Sequence, residues 1–296
     1  MSETPAGQRS EAPGLDVIVV AADSGPLLET CIDSILASPL VQRAMLFDNA
    51  SQDGVPQRMA AKHADDARLR LLQSTRNLGF GAAVNRAAQQ LDNTWLLVLN
   101  PDARLAPEDL QHLLARAAEH VHCGLIGAVM VDPQGTPDSA SWRRDPLLRR
   151  VLAQFGVGRG EPVNVDQAIP NDVIEVEAVS GALMLIRRSV FETLGGFDEA
   201  YFLHFEDLDL CRRVRDAGWQ VLLAGDVRVV HRQGSSSHHR PVFVDWHKHR
   251  GMWRWFRRHD PAARNGWTRI TVALAIITHF VLRLPVLAWR ALRHSA

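Results

Sequence analysis

Trp95-Leu96-Leu97-Val98-Leu99-Asn100-Pro101-Asp102-Ala103 joins five apolar residues to a polar turn with a single acid. A short unbroken apolar run bounded by turn residues is the mark of a strand buried on both faces, and Pro101 cannot extend it. Asp102 therefore stands where a core strand opens to solvent. Ligands of parallel sheets collect at such carboxyl ends. A carboxylate there can hold a divalent cation, yet such ions ordinarily take several oxygens, and here there is one acid.

Upstream, the same pattern repeats. Residues 15–21 are a β-branched run, and Leu27, Leu28, Cys31, Ile32, Ile35 and Leu36 recur at helical spacing before Pro39. Residues 45–47 read as a second strand ending in Asp48-Asn49-Ala50-Ser51. A helix over 57–64, a strand over 69–73 and a helix over 81–90 follow. This alternation predicts an α/β fold whose first hundred residues form a parallel, Rossmann-like sheet. The polar clusters 21–25, 48–54 and 100–102 all fall at strand ends. Downstream, a helix is expected over 107–120 and a strand over 125–131. A weakly patterned stretch, 132–171, reads as a lid or variable insertion. Strand character returns over 173–186, a charged helix lies within 201–217, and a strand over 221–230 precedes a Gly/Ser/His loop.

The composition narrows the possible functions. Of 296 residues 46% are apolar, enough for a real core, and the formal net charge is zero, which argues against a general nucleic-acid-binding surface. From Arg250 onward there are nine arginines and one acid, Asp260. Such a tail suits phosphates or an anionic membrane. The three separated cysteines, Cys31, Cys123 and Cys211, point to a reducing compartment, and the polar residues 1–14 read as a disordered lead-in with no secretory signal. The chain divides into that lead-in, a domain over 15–250 whose two halves meet near residue 103, and a basic helical tail over 251–296. In the tail, residues 270–282 carry no formal charge but fall short of the ~20 residues of a membrane span, and Pro285 is expected to interrupt them. The reading favours a helix lying on the cytoplasmic leaflet over a core or dimer helix, with Trp246, Trp253, Trp255, Trp267 and Trp289 as interface anchors among arginines.

Several side chains have chemistry suited to these positions. Asp48 can accept the imide N–H of a uracil or thymine ring, although an Asx turn is the simpler role for it and its neighbours. The Asn77-Leu78-Gly79-Phe80-Gly81 loop opens a helix, so its backbone N–H groups can face a diphosphate. Glu206, Asp207 and Asp209 follow the aromatic residues Tyr201, Phe202 and Phe205; taken alone they are a solvated helix face. His231 leaves a strand. His238, His239, His247, His249 and His259 lack a Cys partner or an HExxH pattern, and read as surface or acceptor-phosphate contacts.

Four segments together resemble the inverting family-2 glycosyltransferases of the GT-A fold, particularly their bacterial rhamnosyltransferase-like branch. They are Asp48-Asn-Ala-Ser-Gln-Asp-Gly54, Asn77-Leu-Gly-Phe-Gly-Ala-Ala-Val-Asn85, Leu99-Asn-Pro-Asp-Ala103 and Gly195-Gly-Phe-Asp-Glu-Ala-Tyr-Phe-Leu-His-Phe-Glu-Asp-Leu-Asp-Leu-Cys211. The resemblance covers about residues 15–237. It implies a GT-A-type mixed sheet flanked by helices, with Asp207 as catalytic base and Glu206 orienting the acceptor. It further implies Asp48, Asn77, Gly79, Asn85, Asp102, Ser180 and Gly181 around the donor, and Asp102 with His231 as ligands of Mn²⁺ or Mg²⁺. Asp209 is expected to cap the helix or pair with Arg212 or Arg213. Arg143 and Arg144 match an Arg-Arg pair of that branch and suit an acceptor diphosphate. One departure is that the first strand ends in Val20-Ala21-Ala22-Asp23-Ser24, where the family has a Thr-Tyr-Asn-like stretch.

The expected activity is metal-dependent, inverting transfer of a sugar, with dTDP-rhamnose favoured over a UDP-sugar as donor. The expected acceptor is a saccharide or polyprenyl-diphosphate-linked saccharide in cell-surface polysaccharide synthesis, and the expected location the inner face of the cytoplasmic membrane. A sugar-nucleotide nucleotidyltransferase is the competing enzyme, but Asp23-Ser24-Gly25-Pro26 supplies no cation for it. The non-enzymatic alternative is a degenerate scaffold of a membrane glycan assembly.

Overall fold

The computed structural model describes residues 14–157, 161–165, 169–232 and 240–294; the expected lead-in and His238 and His239 lie outside these residues. Its first half alternates β1 (Leu15–Ala21), α1 (Leu27–Leu36), β2 (Val41–Asn49), α2 (Val55–Lys62), β3 (Leu69–Ser74), α3 (Phe80–Ala88) and β4 (Trp95–Leu99). The second half holds β5 (Ala103–Arg104), α4 (Pro107–Glu119), β6 (Cys123–Val131), β7 (Trp142–Arg143), α5 (Leu148–Gln154), β8 (Val173–Glu175), β9 (Ala178–Val179), β10 (Leu183–Arg187), α6 (Arg188–Thr193), α7 (Glu206–Asp216), β11 (Gln220–His231), α8 (Pro241–His259) and α9 (Gly266–His294).

Nine of the described strands form one sheet in the order β3-β2-β1-β4-β10-β6-β11-β5, with β8 also on β11. β3, β2, β1 and β4 run parallel, as expected of apolar strands joined by helices. β10 runs antiparallel to β4, pairing Leu183 with Leu99 and Arg187 with Trp95, so the sheet is mixed. This reversal brings the start of β10 to the carboxyl end of β4. Every residue of β1 and β4 is buried, because helices cover both faces of the sheet. One core layer gathers Leu28, Ile32 and Leu113; the other gathers Val84, Phe197, Leu210 and Trp255. Asp16, buried within β1, is satisfied by the backbone N–H groups of Asp92 and Asn93 and by the side chains of Asn93 and Arg43, which fixes the lead into β4.

Several expectations change. The strand character of 173–186 resolves into β8, β9 and β10, which serve three different partners: β11, β7, and β4 with β6. The weakly patterned stretch is partly core, since Trp142 and Ser141 are buried and Ser141 N–H and Oγ bond Asp138 O while Oγ accepts from Met130 N–H. Pro285 does not interrupt the tail helix, because α9 runs from Gly266 to His294 through it. An interior proline costs about 3 kcal/mol locally, and contacts on either side offset it: Arg283 pairs with Asp245 at 3.1 Å and Leu287 is buried. The helix residues Gly266–Trp289 are long and apolar enough to cross a membrane by length and composition. α8 runs through residue 250, across the expected domain edge.

Candidate active site

The carboxyl ends of β2, β4 and β11, the β3–α3 loop with α3, the start of β10 and the N-terminus of α7 supply the expected site residues. Two groups form, at β2–α3 and at β4–β10–α7.

At β2, Asp48 is buried and accepts from Ser51 N–H on Oδ1 (2.8 Å) and from Gln57 Nε2 (2.7 Å) and Gln73 Nε2 (3.4 Å) on Oδ2. It is an Asx turn with one acceptor position left on Oδ1. Asn49 next to it does more than turn the chain. Its amide accepts Leu78 N–H (2.8 Å) and donates to Gly79 O (3.2 Å) and Asn77 Oδ1 (3.1 Å). Gly79 N–H goes to Asn77 Oδ1 and Phe80 N–H to Phe202 O. The donors at positions 78, 79 and 80 are therefore spent within the protein, and this turn is a rigid wall, not the phosphate cradle expected of it. Gly79 has φ +86° and packs so closely that a Cβ would lie 2.6 Å from Phe202 O, which explains glycine there. Asn85 is committed elsewhere. Its Oδ1 accepts Phe197 N–H (2.8 Å), and its Nδ2 donates to Phe197 O (2.9 Å) and Glu199 Oε1 (3.0 Å), clasping the loop ahead of α7.

At β4, Asn100 N–H donates to Ala182 O (2.9 Å), and Asp102 Oδ1 lies 3.2 Å from His231 Nε2. The pairing of His231 with Ala103 across β11 and β5 sets that distance. Both side chains are largely enclosed, 8% and 12% exposed, and His231 Nδ1 is buried without a hydrogen-bond partner among the described residues. One carboxylate and one imidazole with an unused nitrogen fit a divalent ion that draws its remaining ligands from a diphosphate. Among the described residues no three His, Cys, Asp or Glu side chains gather as a self-sufficient metal cluster.

Gly181, one residue before Asn100's partner Ala182, brings this turn against Asp207. Gly181 N–H (3.2 Å) and Arg143 Nη2 (2.9 Å) donate to Asp207 Oδ2, and Leu208 N–H donates to Oδ1 (2.8 Å). A Cβ on Gly181 would sit 3.1 Å from Asp207 Cβ and 3.3 Å from that same Oδ2, a tight fit that any larger residue would have to relieve by moving Asp207. Ser180 Oγ accepts Ala182 N–H and shapes this turn. His204 and Phe205, at φ +67° and +73°, make the sharp entry into α7, and Gly251 of α8 packs against them. Glu206 is buried, and its Oε2 has no partner among the described residues. Burial, then the neighbouring Asp207 charge, push its carboxyl up to about 8.

Asp209 is structural. It pairs with Arg213 (2.7 Å), one of the two arginines expected, and with His259 Nε2 (2.8 Å), which hold its carboxyl low against the effect of burial. His249 and His259 are thus not surface groups: His249 is buried between Asp245 and His279. His247 stacks on Phe202 with ring centroids 4.5 Å apart. Arg144 pairs with Glu161 and donates to Pro162 O, while Arg143 takes Asp207. Neither arginine is left as an open anion contact.

A parallel run of four strands, joined through an antiparallel strand to a mixed second half of the same sheet, is the layout of a GT-A-type glycosyltransferase. The chain belongs to the family described as glycosyltransferase like family 2, whose model matches residues 13–256. It is 31% identical over 298 residues to the N-acetylglucosaminyl-diphospho-decaprenol L-rhamnosyltransferase of Mycobacterium tuberculosis, covering 91% of this chain and 93% of that one. It is also 27% identical to the rhamnosyltransferase WbbL of Escherichia coli K12 over 150 residues, 51% of this chain and 56% of the relative. The fold is shared with the mannosyltransferase PcManGT of Pyrobaculum calidifontis, solved in complex with GDP-Man and Mn²⁺, at TM-score 0.59, 19% identity and 96% and 76% coverage of the two chains. The chain is a rhamnosyltransferase-like glycosyltransferase of family 2.

Proposed function

We propose that this enzyme moves rhamnose from dTDP-rhamnose, with inversion, onto a polyprenyl-diphosphate-linked saccharide during cell-surface polysaccharide synthesis, at the cytoplasmic face of the membrane. The relative acting on an N-acetylglucosaminyl-diphospho-decaprenol supports the acceptor class. The observation that carries the chemistry is Asp207, 14% exposed and held by three donors at a strand-end turn.

In a single displacement an acceptor hydroxyl attacks the anomeric carbon as the nucleoside diphosphate leaves from the opposite face. Asp207 takes the hydroxyl proton. A carboxylate of ordinary basicity, pKa ~3.9, serves when the proton departs late in bond formation. Three of its roughly four acceptor positions are filled, and the open one is on Oδ1. Glu206, its carboxyl raised to about 8, keeps its proton near neutrality, so the acid pair carries one charge beside an anionic substrate. Asp48 receives the thymine imide N–H at its remaining Oδ1 position, and Asn77, Gly79, Ser180 and Gly181 wall the donor. Asn85 supports that wall through the Phe197 loop. Asp102 and His231 would hold Mn²⁺ or Mg²⁺, which when bound neutralises charge growing on the leaving diphosphate.

The tail supports peripheral membrane contact. α9 rests on α8 through His249–His279, Trp246–Phe280 and Asp245–Arg283, and turns Trp267, Ile270, Leu274, Ile277 and Val281 outward at helical spacing. A spanning α9 would drag α8, with Lys248, Arg250 and Arg254, toward hydrocarbon at about 2.5–3.5 kcal/mol per charge. Lying in the interface incurs no such cost.

The test is transfer from a panel of nucleotide sugars to a short-chain polyprenyl-diphospho-N-acetylglucosamine, with Mn²⁺, Mg²⁺ or EDTA. The expected result is a disaccharide from dTDP-rhamnose with opposite anomeric configuration, lost in EDTA. Preferred transfer from a UDP-sugar, retained configuration, or no binding of any nucleotide sugar would contradict the proposal; the last outcome would favour a scaffold.

A further inference from the structure

Arg143 is paired with Asp207 and is not left open to an acceptor diphosphate. Its strand β7 pairs antiparallel with β9, Arg143 opposite Ala178, and Arg143 also bridges Asn164. Buried Trp142 anchors the pair. The guanidinium then reaches back to Asp207, with Nη2 2.9 Å from Oδ2 and Nε buried without a partner among the described residues. Its side chain is 27% exposed. Arg144, one residue on, is spent on the 161–164 loop. The adjacent arginines therefore have separate tasks.

We infer that Arg143 is a positioning residue for Asp207, fixing its carboxylate so that Oδ1 is the atom that takes the acceptor proton. This rests on the reading of Asp207 as the base. The terminal torsion of aspartate is broad and two-fold, so nothing in the side chain itself chooses which oxygen faces a substrate. The surroundings choose. Gly181 N–H and the Arg143 guanidinium fill Oδ2, whereas Oδ1 has only Leu208 N–H. Of these three donors only Arg143 carries charge, so its bond adds ion-pair attraction to the charge-assisted hydrogen bond that each backbone N–H also makes to the carboxylate. Backbone spacing alone holds Gly181, because a Cβ there would crowd Asp207 Cβ at 3.1 Å. Arg143 also offsets the charge beside Glu206, whose carboxyl it pulls down against burial.

The contrast with acceptor binding lies in the kinetics. Loss of a positioning group lowers kcat and leaves KM; loss of a ground-state phosphate contact raises KM. The experiment is steady-state transfer by the full chain carrying Arg143→Ala, with folding checked by thermal melting. The expected result is kcat down at least about 10-fold, KM of donor and acceptor within about 3-fold, and partial recovery of kcat on adding guanidinium ion. Arg143→Lys, which keeps charge but loses the planar fork, is expected to fall between the two. If Arg143→Ala does not fold, Arg143→Gln carries the same expectation for kcat and KM. A raised acceptor KM with wild-type kcat, or wild-type values throughout, would overturn the inference. Asp207→Asn separates the two readings: if it is inactive while Arg143→Ala is unimpaired, only the positioning role fails; if it is fully active, the base itself is misassigned.

Discussion

Glu206 and Asp207 are consecutive, yet the entry into α7 gives them opposite surroundings. Asp207 meets three donors, and Glu206 is buried with Oε2 unpaired among the described residues. Its carboxyl rises from 4.5 to about 8 through burial and then the Asp207 charge. The sign of the linkage follows. Between about pH 4.5 and 8 the folded state binds more protons than the unfolded state, so stability falls as pH rises and levels off above 8. Glu206→Gln removes that term. Its melting temperature should gain on wild type by a few degrees between pH 5 and pH 8.5, at about 2–4 °C per kcal/mol for a chain of this size; parallel curves would contradict the assignment. The strand-end placing of Asp102 and His231 was legible from the apolar runs before them, whereas Asp207, taken alone, read as part of a solvated helix face and was singled out only by the resemblance. Arg143 and Asn49 were not, since their partners lie 64 residues and about 30 residues away, and local pattern carries no sign of such pairs. His259 misled for the same reason: its partner Asp209 is 50 residues distant.

Among the elements, α9 shows most clearly what periodicity can and cannot deliver. The apolar stretch was visible, but its length was not, because a proline that breaks an isolated helix is tolerated where Arg283 and Leu287 hold the next turn. The partial cover of one face of α9 comes from α8, across which the expected domain edge at residue 250 falls. Leu274 and Ile277, 59% and 58% exposed, lie at the middle of the outward stripe. With each buried apolar side chain contributing about 1.5–3 kcal/mol, Leu274→Asp with Ile277→Asp should weaken binding to vesicles containing anionic lipid by at least about tenfold. Transfer to a water-soluble acceptor should stay at the wild-type rate. Unchanged vesicle binding in a flotation assay, or loss of a dimer by size-exclusion chromatography, would show that the stripe faces something other than lipid. Exposed Arg257, Arg264 and Arg269 flank it, and each adds about 1 kcal/mol of attraction near an anionic surface.

Across the whole molecule, the site lies where the parallel half meets the reversed strand. β1 to β4 were readable as alternating units because each strand is buried on both faces and each crossover is a helix. The second half was readable only piecewise. β11 alone pairs with β5, β6 and β8, and no local signal specifies partners so far apart in the chain. That non-local pairing is what carries His231 to Asp102, while the reversal of β10 carries Gly181 and with it Asp207 to the same edge. On the proposed mechanism, leaving-group support at β4 and β11 and proton removal at α7 come from separate elements. Asp207→Asn should therefore abolish transfer without disturbing donor binding. The most direct measurement is the rate of rhamnosyl transfer by this variant beside its calorimetric affinity for dTDP-rhamnose. The account predicts a rate lower by about 10²–10⁴ with affinity and melting temperature unchanged; transfer at the wild-type rate would contradict it.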